Sequence, residues 1–439
     1  MNNKRAWWVM WILVLVLAGC GGADEDIEIE PTATPAPTLS PEERVTFDSG
    51  TDQNPLRLVM RPADTIAARL NEILATEFGV RRSRLSADAD LRDTLELDDV
   101  TALNPALRRD FGVELTPDAA ESLETLADLN AAVQAQVAGQ VADAVLRRTG
   151  LHFEIVFVEA YADALVELCQ SGGGLVSLPL LDGVTYTAAV ARNCGQPALH
   201  MAAGVSPDGL FVDLDDSPPP AAQIAAEAEA EESGDDVAEE SGDTAPPENT
   251  TAPAFDLSDV PLRFGAPGVI VANADLGTTD VSLVSGRTFC RLGYDDFYSW
   301  LLPSLVLQAR GIDLATAAAE IRDYANPGAL LRAVASGDCA AAGFAREVYD
   351  TLTVPEGVTV IAETVDMPYG VLMVPLEVGL GVRLALAEHL PALAVDAQDG
   401  RALHLLLGQT ALVPVESDDL DELDAFMQST GLNFAQLGD

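Results

Sequence analysis

Leu56 to Met60 is a short apolar run, and from Ala63 to Phe78 the pattern switches to helical spacing, with Ile66, Leu70, Ile73, Leu74 and Phe78 sharing a face. The acidic turn Asp88-Ala89-Asp90-Leu91 follows. Leu97 to Phe111 repeats the helical spacing, Thr116-Pro117-Asp118 opens a third helix and Thr125 to Val137 makes a fourth, so this stretch predicts a small four-helix unit. After Gly139 helices and strands alternate. Val141 to Arg148 predicts a helix, His152 to Val158 a strand, Tyr161 to Cys169 a helix, Leu175 to Leu178 a strand, Thr185 to Arg192 a helix and Ala198 to Ala203 a strand. Beyond a polar interruption come strands at Gly268 to Asn273 and Thr288 to Leu292, then helices at Phe297 to Arg310 and Ala329 to Ser336. Strands at Cys339 to Phe344 and Val358 to Ile361 continue the theme. Such alternation predicts an α/β architecture.

Two stretches break the pattern. From Gly21 to about Ser49 the chain is acidic and rich in Pro, Thr and Ala, and Ser217 to Leu262 carries Pro218-Pro219-Pro220, an Ala/Glu repeat, twelve acids and no base. Neither holds enough apolar surface to fold, so the first is expected to be a tether and the second a disordered loop insertion. At the start, Lys4 and Arg5 precede an apolar run from Ala6 to Leu17 that is too short to span a bilayer comfortably. With Leu17-Ala18-Gly19-Cys20 closing it, the segment resembles a bacterial lipoprotein signal. That resemblance implies lipid on Cys20 and a protein anchored to a membrane from outside the cytoplasm.

The charge narrows the function classes. Against 70 acidic side chains stand 24 basic ones, a formal charge of −46, which argues against nucleic acid as a partner. Lys4 is the only lysine, so a lysine Schiff base or a phosphate-cradling P-loop is excluded from the chain after the signal. Besides Cys20 there are Cys169, Cys194, Cys290 and Cys339, an even number with no C-x-x-C spacing, and the four histidines are scattered. No metal site and no cofactor are expected. Neither G-x-S-x-G, H-E-x-x-H nor G-x-G-x-x-G occurs, which points away from an enzyme.

Leu85 to Val133, with "LSADADLRDTLELDDV" and "LRRDFGVELTPDAAESLETLADLNAAV", resembles an acyl carrier protein. In that family a D-S-L motif carries the serine that receives phosphopantetheine. Here the motif reads Asp98-Asp99-Val100, so carrier function is expected to be lost, and Pro105 is expected to bend the second helix.

"FEIVFVEAYADALVELCQSGGGLVSLPLLDGVTYTAAV", "LVSGRTFCRLGYDDFYSWLLPSLVLQARGI" and "ALLRAVASGDCAAAGF" resemble the phosphate/phosphonate-type solute-binding proteins of ABC importers. The resemblance implies two α/β lobes of the type 2 periplasmic-binding-protein fold, closing on a ligand like a hinged trap. On this reading 1–19 is the signal, 20–50 a tether, 51–64 the first strand of lobe I and 65–138 the acyl-carrier-like insert. Lobe I resumes over 139–212, the acidic insertion fills 213–261, lobe II spans 262–366, and 367–439 returns to lobe I. The competing arrangement, a helical domain ahead of a complete lobe, would leave lobe I without its opening strand. Crossings between lobes are expected near Gly268 to Asn273 and Tyr369 to Val374. One disulfide per lobe follows, Cys169 to Cys194 and Cys290 to Cys339.

Ligands of such sheets bind beyond the carboxyl ends of the strands. That rule nominates Met60 and Arg61, Tyr161, Leu178 to Leu181, Tyr294 to Tyr298, Phe344 and Tyr369, and from these Arg61, Tyr161, Leu178, Tyr294, Asp295, Asp296, Tyr298, Phe344 and Tyr369 are taken as the ligand-binding set. The family's phosphate grip, a Ser-Thr-Ser run, aligns with Asp296, Phe297 and Tyr298, and a carboxylate there would repel an anion. Helix N-capping is the plain explanation for one of Asp295 and Asp296. The expected function is delivery of a small organic solute, neither phosphate nor phosphonate, to an ABC permease by a monomeric lipid-anchored protein. The alternative is a sensing or interaction lipoprotein that uses the helical insert as a docking module.

Overall fold

The computed structural model describes residues 49–97, 99–171, 175–204, 261–294, 296–396 and 399–436. The signal, Cys20, most of the tether, the acidic stretch from 205 to 260 and Asp295 lie outside the described residues. Strand β1 (Leu56–Met60) runs parallel between β2 (Phe153–Phe157) and β3 (Val176–Leu181). Its sequence Leu-Arg-Leu-Val-Met is almost wholly apolar because both faces are covered. The sheet continues from β3 through three antiparallel neighbours, β11 (Val371–Pro375), β4 (Gly195–Gly204) and β12 (Ala411–Pro414), and β5 (Leu262–Arg263) pairs with the end of β4. A second sheet has the order β10 (Val358–Pro368), β6 (Gly265–Asn273), β9 (Ala341–Ala345), β7 (Thr288–Arg291), β8 (Glu320–Asp323). The fold is therefore two-lobed α/β.

Among the described residues the chain crosses between sheets twice, and the crossings touch. The outward one is at Leu262–Gly265, not at Gly268–Asn273 as the pattern suggested, because Gly268–Asn273 already lies inside the second sheet, paired to both β9 and β10. The return runs from β10 into β11 through Tyr369, whose amide donates to the Phe264 carbonyl (3.0 Å). Close approach makes glycine necessary at Gly265, where a Cβ would sit 2.2 Å from the Met367 carbonyl oxygen.

Between β1 and β2 the chain builds four helices: α1 (Thr65–Thr76), α2 (Asn104–Phe111), α3 (Pro117–Ser122) and α4 (Leu126–Thr149). Asp110, 2% exposed, ties α2 to α1 through Arg69 (2.7 Å) and is also held by Arg109 (2.5 Å). Two expectations are corrected here. Pro105 does not bend a helix, because Val100–Leu103 forms a 3-10 turn and Pro105 falls in the first turn of α2, where its missing N–H is harmless. Nor does Gly139 separate two helices. Val133, Val137, Val141, Ala144 and Val145 keep one buried stripe through α4, and open space surrounds Gly139, so the long helix absorbs a glycine costing about 1 kcal/mol. The capping box of Thr125 and Asp128 starts α4, and Gly150, at φ +73°, ends it. Its first half completes the helical unit while its second half packs on lobe I. One hydrophobic core consequently runs from Leu91, Leu107 and Val133 to Leu56, Leu58 and Leu386.

Both disulfides form, Cys169 to Cys194 and Cys290 to Cys339. Each stays within one lobe, as expected.

Candidate functional site

A cleft of about 500 Å³ opens where the carboxyl ends of strands from both sheets meet the crossings. From lobe I, Arg61 and Asp64 follow β1, Tyr161 opens the helix after β2, and Leu180 and Asp182 end β3. From lobe II come Asp296, Phe297 and Tyr298, and Pro368 and Tyr369 supply the return crossing. Of the nominated residues, Arg61, Tyr161, Asp296, Tyr298 and Tyr369 meet in this cleft.

Three residues of the ligand-binding set do not reach it. Leu178 is fully buried in the core of lobe I, and of the nominated stretch Leu178 to Leu181 it is Leu180, roughly 7 Å further along the strand, that forms the wall. Phe344 is 2% exposed and packs on Tyr349 (6.1 Å). Gly343, its neighbour on the opposite face of β9, is the residue under the cleft-lining turn, since a Cβ there would sit 2.4 Å from the Tyr298 carbonyl oxygen. Tyr294 is 74% exposed outside the cleft and stacks near Trp300 (6.2 Å), with the Arg291 guanidinium 4.4 Å from the Trp300 ring centre. Asp295 lies outside the described residues.

Asp182 was the residue missed. Its signal was present: Asp182-Gly183-Val184-Thr185 directly after an apolar strand is an N-cap pattern, one position beyond the nominated strand end. Asp182 starts the helix α6 (Gly183–Ala191), and its Oδ1 accepts from the Thr185 amide (2.8 Å) and hydroxyl (2.7 Å). Asp296 does the same at the other lobe, its Oδ1 accepting from the Ser299 amide (2.7 Å) at the start of the turn Phe297–Leu301. Capping and cleft lining coincide in one residue.

Burial shapes the electrostatics. It raises the Asp182 carboxyl above the usual range, against the lowering effect of the Thr185 and Val184 donors and of Arg61. It also pushes the Tyr161 phenol up to about 12, with Asp182 adding to the shift. Tyr298 and Tyr369 are likewise raised by burial. Their hydroxyls are engaged, that of Tyr298 donating to the Ala266 carbonyl (3.4 Å) and that of Tyr369 to the Glu347 carboxylate. Away from the cleft, Glu416, Asp418 and Asp419 bring carboxylate oxygens within 4.8 Å of one another. Asp419 Oδ2 there already accepts from the Glu416 amide (2.6 Å) and meets His200 Nε2 (3.2 Å), so the cluster is explained by its own turn.

The sequence profile of the ABC transporter phosphonate periplasmic substrate-binding proteins matches residues 123–420. The chain belongs to this family. The family's proteins are solute binders serving ABC transporters outside the cytoplasm, and this binding protein shares that role. Among solved structures, it is similar to a Xanthomonas citri protein bound to ATP, at 13% identity and TM-score 0.44, over 69% of this chain and 96% of that one. It is also similar to PhnD1 of Prochlorococcus marinus in complex with methylphosphonate, at 12% identity and TM-score 0.37, over 67% and 92% of the respective chains. A 65-residue stretch, 14% of the chain, is 35% identical to acyl carrier protein 2 of Pseudomonas aeruginosa and covers 82% of it.

In the helical unit, Asp99 stands where the resemblance places a modified serine. Its carboxylate caps the following turn, accepting from the Thr101 amide (2.9 Å) and hydroxyl (2.6 Å). Incubation with a phosphopantetheinyl transferase and coenzyme A should therefore leave the intact mass unchanged, and a single pantetheine adduct would overturn this expectation.

Proposed function

We propose that this binding protein is held on the membrane by lipid at Cys20 and captures a small organic solute that is neither phosphate nor phosphonate. The observation carrying this reading is the occupancy of the two helix starts in the cleft. Free amides at a helix N-terminus attract anions. Here one amide at each start, that of Thr185 in α6 and that of Ser299 in the turn at Phe297, is turned to the chain's own carboxyl group, Asp182 or Asp296. An incoming phosphate would meet two carboxyl groups where it needs open donors. A solute bearing an amine or hydroxyls would meet charge and acceptors suited to it, and a buried carboxylate gains from such a partner.

Thermal-shift measurement with phosphate, methylphosphonate, amines and polyols tests the reading. A ligand that binds only the folded state at about 1,000 times its Kd adds about 4 kcal/mol of stability. Amines or polyols should raise the melting temperature while phosphate and methylphosphonate leave it unchanged. Large shifts from the phosphorus compounds alone, or shifts untouched by Asp296→Ala, would refute it.

The helical unit is read as an insertion after β1 rather than a separate domain. Pro62, Ala63 and Asp64, which lead into α1, line the cleft, so the unit starts at the ligand site. This contact favours a second role in which the unit passes the state of the cleft to a docking partner.

A further inference from the structure

We infer that Glu347 is a positioning residue that holds the cleft-lining Tyr369 to lobe II and, by meeting Arg263 of lobe I, fixes the angle between the lobes. The inference goes beyond the choice of solute and does not depend on it. Tyr369 lies where the chain returns to lobe I, and the contacts around it lead to three different parts of the molecule. Its amide donates to the Phe264 carbonyl of the outward crossing (3.0 Å), and the Met201 amide of β4 donates to the carbonyl of the next residue, Gly370 (2.8 Å). Its hydroxyl donates to the Glu347 carboxylate. Glu347 stands outside the cleft lining, in the helix Arg346–Thr351 that follows β9. That helix is fastened to lobe II, because Arg346 pairs with Glu363 of β10 (3.1 Å) and Tyr349 packs on Phe344.

Arg263 is anchored on the other lobe. It is the last residue of β5, paired with Ala203 of β4, and its Nη1 stands 3.8 Å from Glu347 Oε1. Burial raises the Glu347 carboxyl and Asp366 adds to the rise, while the Tyr369 hydroxyl and Arg263 both favour its ionised form. A rotation of one lobe against the other must turn the torsions around Phe264 and Tyr369, since a hinge concentrates the change in a few residues between elements. It also alters the separation of Arg263 and Glu347, because the two side chains ride on different lobes. The pair is made at the angle seen here and weakened at others, which biases the population toward this angle. The side chains are 39% and 23% exposed, and ion pairs of that exposure add little to folding stability. Their effect therefore falls on the angle and on the placing of Tyr369.

The purified full chain without ligand suffices for the test. Tyrosine labelled with carbon-13 at Cζ gives one resonance for each of the seven tyrosines, and the line lost in Tyr369→Phe reports the Tyr369 hydroxyl. Glu347→Leu removes the acceptor and should shift that line. Glu347→Gln keeps an oxygen able to accept, and Arg263→Gln leaves the carboxylate untouched, so both should keep the line in place. Small-angle X-ray scattering reads the angle, since the segments outside the described residues are common to every variant. Glu347→Gln and Arg263→Gln remove the same charge pair and should change the radius of gyration in the same direction, with the double variant going no further than either alone. Their melting temperatures should stay close to that of the unaltered protein. A Tyr369 line unmoved by Glu347→Leu would overturn the positioning, and unchanged radii in Glu347→Gln and Arg263→Gln would overturn the control of the angle. A lowered melting temperature with neither line nor radius changed would reduce Glu347 to a structural contact.

Discussion

Replacing Cys290 and Cys339 together by alanine should lower the stability of lobe II by about 4 kcal/mol. The two cysteines are fully buried, one in β7 and one just ahead of β9, and they are 49 residues apart. Between them lie the cleft-lining turn, β8 and the helix Pro327–Ser336. The bond removes loop-closure entropy from the unfolded chain, and a loop of this length corresponds to about 4 kcal/mol in the chain-entropy treatment. For Cys169 to Cys194, with a separation of 25, the same treatment gives slightly less. Trp300 is the single tryptophan after residue 11, and it is buried in lobe II. Urea unfolding of the chain without residues 1–19, followed by tryptophan fluorescence, therefore reads this lobe. The midpoint of the double variant should fall well below that of the unaltered protein, and coincident midpoints would show that the bridge contributes nothing.

The strands of lobe I were legible because buried parallel strands are written as apolar runs. Leu56–Met60 appears where the pattern placed it, as does the helix Tyr161–Cys169. What could not be read was whatever depends on neighbours distant in sequence. Strand β10 was expected to stop at Ile361 but continues to Pro368, because its second half carries Glu363, Thr364 and Asp366 on exposed or half-buried positions and is interrupted by register shifts. Gly139 looked like a boundary, since a local pattern cannot show that the apolar stripe of α4 continues against two different partners. In the cleft, position at a strand end was a good guide to the general place and a poor one to the face. Phe344 is at the right strand and on the wrong face, whereas Leu178 is on the right face and two residues short of the cleft. Asp182 was passed over because an N-cap aspartate has a complete structural explanation in sequence, and nothing local says that the same carboxylate also lines a cleft. Asp296 carried the additional cue of the family's anion-binding position, which is why it was found.

Acid should destabilise this protein partly through His404, by about 3 kcal/mol between pH 6.5 and pH 4. The ring sits in the helix Gly400–Leu407, 5% exposed, among leucines of the lobe I core. Burial, opposed by the backbone of Ala394 and Thr410, pulls its pKa from 6.5 down to about 4. In the unfolded chain the imidazole takes a proton as the pH falls through 6.5, whereas the folded protein excludes that proton until about pH 4. The unfolded state binds more protons throughout this window, so stability is full above about pH 6.5, declines down to about pH 4 and changes no further below it. A shift of this size corresponds to about 3 kcal/mol. The raised carboxyls Asp182, Glu347, Asp366 and Asp424 act with the opposite sign, because in each the folded state holds its proton more tightly than the unfolded chain does. A raw pH profile therefore mixes the two effects. The difference between the unaltered protein and His404→Gln isolates the histidine, since the carboxyls are common to both. Urea-derived stabilities at pH 7.5 and pH 4 should show that difference shifting by about 3 kcal/mol in favour of the glutamine variant at the lower pH. A difference that stays constant across the window would mean that the His404 ring is free to take up its proton in the folded protein.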